Sequence, residues 1–134
     1  MANLNYYNLQ KAIYEKLVGS VPLMAVVSGV FDFVPQGTDF PYLVIGDVAV
    51  GDASNLAKAV ADYQLNLHIW SRQAGHKQAA DIMDMVYGLL HNGNIAVTGK
   101  TLVSMRVTSS NIELANDSIT YHGLLRLRII LQDS

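Results

Sequence analysis

The sequence predicts an α+β fold: a mainly antiparallel sheet of about five strands with two main helices packed on one face, in the order helix, short helix, three strands, helix, two strands. Three observations predict it. First, Ala61 to Ser71 places Tyr63, Leu65, Leu67 and Ile69 in strict alternation with Gln64, Asn66, His68 and Trp70. Successive side chains of a strand point to opposite faces, so this is a long strand with one face in a core, and it is taken as the centre of the sheet. Second, Leu9, Ala12, Ile13 and Leu17 recur at three- and four-residue spacing, as do Ala79, Ile82, Met83, Val86, Leu89 and Leu90. Each set makes one apolar helical stripe. Third, two alternating runs, Thr101 to Leu114 and Ile119 to Leu131, flank a turn centred on Asn116 and Asp117. They read as a long β-hairpin.

Taken in order, Asn3 to Val18 is the first helix. Asn3 or Asn5 can cap its start, and Gly19 is expected to end it in a left-handed turn. Ser20-Val-Pro22 then caps a short helix, Pro22 to Val27, with proline in its first turn. Val30 to Phe33 is a short strand. Pro35, Gly37 and Pro41 make Val34 to Pro41 a loop. Tyr42 to Val50 is a strand whose parity shifts near Gly46-Asp47, which predicts a bulge. Gly51 to Ala59 is polar and small, a long hairpin tip leading into the central strand. The second main helix starts at Ser71 or Gly75 and runs to about His91, where Asn92-Gly93-Asn94 tolerates positive φ.

The 134 residues are the size of one ordinary domain, 1–134, without internal repeat or linker. Charged residues are 15% of the chain against about 25% in typical soluble domains, which favours flanks covered by other subunits. The net charge of −2 and the scattered lysines and arginines do not suggest a phosphate-binding surface. No apolar run reaches membrane-span length, and the N-terminus lacks a signal-peptide pattern, so a soluble, cytoplasmic protein is expected.

Chemistry is sparse. The chain has no cysteine. It also has no nucleophile elbow, no phosphate-cradling glycine loop and no paired-histidine zinc motif. No catalytic, cofactor-binding or metal-binding residue is assigned. Asp81 and Asp84 near a helix start favour its dipole. His68 and His122 fall on outer strand faces and can be neighbours. With Asp62 or Asp117 they would make three zinc ligands, but no ligand spacing supports that set. Trp70 reads as packing or an interface anchor. Arg106, Arg126 and Arg128 can gather on one face of the last hairpin. That face is an ordinary solvated one, a surface for a neighbour's carboxylates, or a channel wall past which nucleic acid moves.

Three landmarks carry a resemblance: Val34-Pro-Gln-Gly-Thr-Asp-Phe-Pro-Tyr-Leu-Val-Ile-Gly-Asp47; His68-Ile-Trp-Ser-Arg72 with the later Val86-Tyr-Gly-Leu-Leu-His91; and Thr120-Tyr-His-Gly-Leu-Leu-Arg-Leu-Arg-Ile129. In this order, from about Leu9 to Leu131, the chain resembles the small tail-completion or tail-terminator proteins of long-tailed phages, prophages and gene transfer agents. The resemblance implies a structural virion protein with no catalytic residues to carry over. Such proteins form a ring, usually of six subunits, on the head-proximal end of the tail tube. The ring stops tube polymerisation and docks to the head-completion or stopper protein, and DNA later passes through the bore. The implied partners are further copies of the chain, the major tail tube protein and the stopper. The implied location is the virion's tail neck, after assembly in the bacterial host cytoplasm. Candidate interface residues are Trp70, Arg106, Arg126, Arg128, Asp52 and Asn55. Two alternatives stand: another neck component, stopper or adaptor, and a small-molecule-binding α+β domain with a site near Trp70 and His68.

Overall fold

A computed structural model describes residues 4–54 and 59–133. Three helices, α1 (Tyr6–Val18), α2 (Val21–Met24) and α3 (Lys77–Leu90), accompany five strands, β1 (Val30–Phe31), β2 (Tyr42–Asp52), β3 (Val60–Ser71), β4 (Lys100–Leu114) and β5 (Tyr121–Asp133). The strands form one sheet in the order β1-β2-β3-β5-β4. Only β1 and β2 run parallel; the other neighbours are antiparallel. The fold is α+β as expected, and the alternating run from Ala61 is the middle strand. The parity shift in β2 is a register shift between Ile45 and Val48.

The core lies on one face. Tyr63, Leu65, Leu67 and Ile69 of β3 meet Leu125, Leu127, Ile129 and Leu131 of β5, and both main helices press their stripes onto them in a single cluster. Each fully buried Leu or Ile contributes about 1.5–3 kcal/mol of transfer free energy. Tyr63 is fully buried, yet its hydroxyl donates to the Leu4 carbonyl at 2.7 Å. Removal from water pushes its pKa up. Gly123 lets α3 approach the sheet: a Cβ there would lie 3.1 Å from the Met83 Cε and 3.2 Å from the Ile69 Cβ.

Local chemistry moves several boundaries. Asn3 lies outside the described residues. Asn5 is the N-cap of α1, at φ 56°, and its side chain accepts from the Asn8 amide rather than from a backbone N–H. Gly19 is right-handed, at φ −73°, so the expected left-handed turn is absent; its N–H closes onto the Glu15 carbonyl instead. Ser20 caps α2 as expected, accepting from the Leu23 N–H at 3.3 Å, but this helix is only one turn. β1 stops at Phe31, and the Asp32 carboxylate takes a hydrogen bond from Gln10 of α1.

β5 begins at Tyr121 rather than Ile119, because the Asp117 carboxylate holds the turn. It accepts from the N–H groups of Ile119 and Thr120 and from the Thr120 hydroxyl, at 2.6–2.9 Å. These bonds, the Thr120 hydroxyl first, bring its pKa down from 3.8 to about 2, with a smaller contribution from Arg72. A lowered folded-state pKa means stabilisation that is present above the unfolded value and lost as pH falls through the folded one. Asp117→Asn is therefore expected to melt below the parent at neutral pH, with the gap closing between pH about 4 and about 2. Thermal midpoints across that window check this; a gap independent of pH overturns it.

Candidate functional site

The helices cover one face of the sheet and leave the other bare, so the bare face is where the polar alternates of each strand collect. Its first transverse row is Tyr42–Trp70–His122–Glu113, followed by Val44–His68–Leu124–Asn111. Trp70 stacks on His122, and His68 lies edge to edge with His122 in nearly the same plane. The Trp70 and His122 rings are 4.3 Å apart and tilted by 19°; those of His122 and His68 are 4.9 Å apart and tilted by 13°. His68 Nδ1 and His122 Nε2 are 2.7 Å apart, so one ring donates and the other accepts. Burial first, then the neighbouring imidazole, pushes the His68 pKa down, and Asp47 opposes the shift. Gly46 in the β2 bulge makes room for this ring, since a Cβ there would lie 2.6 Å from His68 Nε2.

The two histidines are neighbours, but Asp62 and Asp117 do not join them. Asp62 is engaged by Arg128 and Asp117 by its own turn. Glu113 comes within 3.7 Å of His122 Nδ1. Among the described residues no three potential ligands converge on one metal position.

The three arginines do share the bare face. Arg128 grips Asp62 through two nitrogens: Nε at 3.0 and 3.1 Å, and Nη2 at 2.7 Å. That is the planar bidentate geometry arginine favours, and it holds the Arg128 pKa up. Arg126 lies opposite Asn66 and Ser109. Arg106 sits directly opposite Arg128, exposed, with no carboxylate partner among the described residues. Between β2 and β5 the face is hollowed into a polar trough of about 400 Å³, with Asp47, Gln64, Asn66, Arg126 and Arg128 along it. Trp70 and His68 do not line this trough.

Asp52 is separate. It pairs with Ala61 on the helix-side parity of Val50. Its carboxylate receives the Ser54 N–H at 2.8 Å and starts the tip, and Ser54 keeps its pKa low. Asn55 lies outside the described residues. The closeness of His68 and His122 was legible from their outer strand faces, whereas the pairing of Arg128 with Asp62 had no signal in the linear order, its residues being 66 positions apart. Cross-strand register alone joins them.

The sheet edges also differ in cover. The end of α3 closes part of the β4 edge: the Asn92 N–H donates to the Met105 carbonyl at 2.8 Å, and the Val107 N–H donates to His91 Nδ1 at 3.1 Å. Beyond these contacts, Ser109–Leu114 is largely exposed and forms strand pairs only with β5. The sheet thus offers charge and a ring cluster on its bare face and an exposed edge at Ser109–Leu114.

The family described as tail completion protein gp17 matches residues 11–132. Tail completion protein gp17 of Bacillus phage SPP1 is 25% identical to the chain over 126 residues, 94% of this chain and 93% of the relative. The solved structure of bacteriophage SPP1 gp17 superposes with a TM-score of 0.67 at 26% identity, covering 95% of this chain and 91% of that one. A chain of the virion of the native gene transfer agent (GTA) particle superposes with a TM-score of 0.88, covering 98% and 99%. At 22% identity that last likeness is one of fold.

Proposed function

We propose a function from one premise: this chain belongs to the tail completion protein gp17 family. It is a virion protein of a phage-type tail, acting as a single domain over residues 1–134. Copies join into a ring, of six subunits by resemblance, that seats on the head-proximal end of the tail tube. The ring ends tube polymerisation and presents the surface that joins the head-completion or stopper protein, with DNA passing through its bore. The protein is made in the bacterial host cytoplasm and resides in the tail neck.

Family membership across residues 11–132 carries this reading, and the fold likeness to a chain of a gene transfer agent virion supports it. The physical account is geometric. A head-to-tail contact that closes on itself gives a finite ring. Such a ring can match a tube on one side and differ from it on the other, so growth stops after one layer. A sheet with one bare face and exposed edges suits that role.

The test is to assemble tails with and without the protein and measure tube lengths by negative-stain microscopy. Tubes of uncontrolled length in its absence, and capped tubes of uniform length in its presence, are expected. Unchanged lengths with neither rings nor caps overturn the reading. Recovery on heads rather than tubes would make the protein a stopper or adaptor instead.

A further inference from the structure

The two edges of the sheet carry complementary features at the same height. β1 pairs Val30 with Leu43 and Phe31 with Val44. Across the sheet those rows continue through Ile69 and His68, then Gly123 and Leu124, and end at Ile112 and Asn111 of β4. The segment of β4 that α3 leaves open, Ser109–Leu114, therefore ends the same rows that β1 begins. The polarity also agrees. β4 runs antiparallel to β5, as β5 does to β3 and β3 to β2, so β4 is antiparallel in sense to β2 and to β1. Ser109–Leu114 contains no lysine or proline; the register shift between Val107 and Ser109 lies at its start, and Glu113 is the one charge along it.

On the helix side, Ile112 lies at the level of Val30, and a groove of about 330 Å³ beside Tyr7, Gln10, Lys11, Tyr14, Asp32 and Ile45 opens at the level of Ser110. On the bare side, Arg106 faces Arg128 with no carboxylate of its own. Like charges directly opposite across a strand pair are destabilising, so a partner acid would relieve the site. Asp47, exposed in the β2 bulge, forms no ion pair with a lysine or arginine among the described residues, acts on His68 through space, and sits one row from the level of Arg106. At that level β1 is absent, so one strand slot separates β4 from a neighbouring β2. Two strand spacings of about 10 Å and one row of about 7 Å along the strand make a diagonal of about 12 Å, close to the full reach of an extended arginine and an aspartate.

We infer that the partner of these edges is a second copy of the chain: Ser109–Leu114 of one subunit adds antiparallel to β1 of the next, with Ile112 beside Val30, Ser110 at the groove by Tyr7 and Tyr14, and Arg106 paired with Asp47 of the neighbour. The contact is head-to-tail, because each copy uses one edge to give and the other to receive. The inference rests on the ring reading and names the surface that closes the ring.

Charge exchange tests it. Arg106→Glu and Asp47→Arg, each alone, are expected to weaken self-association about tenfold or more, read as the ring fraction by mass photometry and negative stain with the cognate tube protein present. An equimolar mixture of the two variants restores rings of alternating copies, because each contact then joins opposite charges. Melting curves matching the parent show that the variants fold. Rings from the parent and undiminished rings from both single variants overturn the edge contact while leaving the ring. No rings or caps from the parent overturn the ring reading itself.

Discussion

Leu67→Ala is expected to lower the unfolding free energy by about 3 kcal/mol. Leu67 is fully buried at the midpoint of the middle strand, beside Ile45 of β2 and Leu125 of β5. The helices lie over it, so no neighbour can collapse into the space that alanine leaves. The loss combines the missing transfer free energy with the cavity that remains. Urea denaturation at constant m-value measures it. A loss below about 1 kcal/mol would mean that the core repacks, and the central place of this strand would be wrong.

Gly93→Ala is the second large effect, expected at about 2 kcal/mol of destabilisation. A Cβ at Gly93 would lie 2.4 Å from the Leu89 carbonyl oxygen and 3.3 Å from the Met105 Cε. The first obstacle is backbone of the last turn of α3, which cannot swing aside as a side-chain tip can. The control is Gly88→Ala within the same helix. A Cβ there meets nothing within 4 Å, and alanine in a helix interior is favoured by about 0.5–1 kcal/mol. Opposite signs in paired thermal melts are the expected result; equal signs would overturn the steric account. The end of α3 also carries His91 and Asn92, which close β4 at Val107 and Met105, so a shift there reaches the sheet edge.

The parts of this molecule legible in its sequence are those that repeat along the chain. Alternation from Tyr63 to Ile69 sets one face of β3 in the core, because a strand's side-chain period is two. The stripe from Ala79 to Leu90 is buried for the same kind of reason at helical period. Even the β2 bulge was legible, as a change of parity at Gly46-Asp47. The ends of elements were less so. A carboxylate that takes two N–H groups, as Asp117 does, removes residues from a strand without changing its hydrophobic pattern. Gly19 was expected to turn left-handed because glycine can; what it does is close a right-handed turn onto Glu15.

By itself, the sequence determined the fold class, the central strand, the sharing of one face by three arginines, and the family resemblance. Each depends on periodicity or on local residue order. Tertiary structure decided which charges are already satisfied. Arg106, Arg126 and Arg128 look equivalent as a string, yet register gives Arg128 the Asp62 carboxylate and leaves Arg106 facing another guanidinium. It likewise decided that His122 contacts both Trp70 and His68, and that α3 covers β4 at Met105 and Val107 but not beyond. These are contacts between segments dozens of residues apart, and their distances are set by strand register and helix placement, which no local pattern encodes.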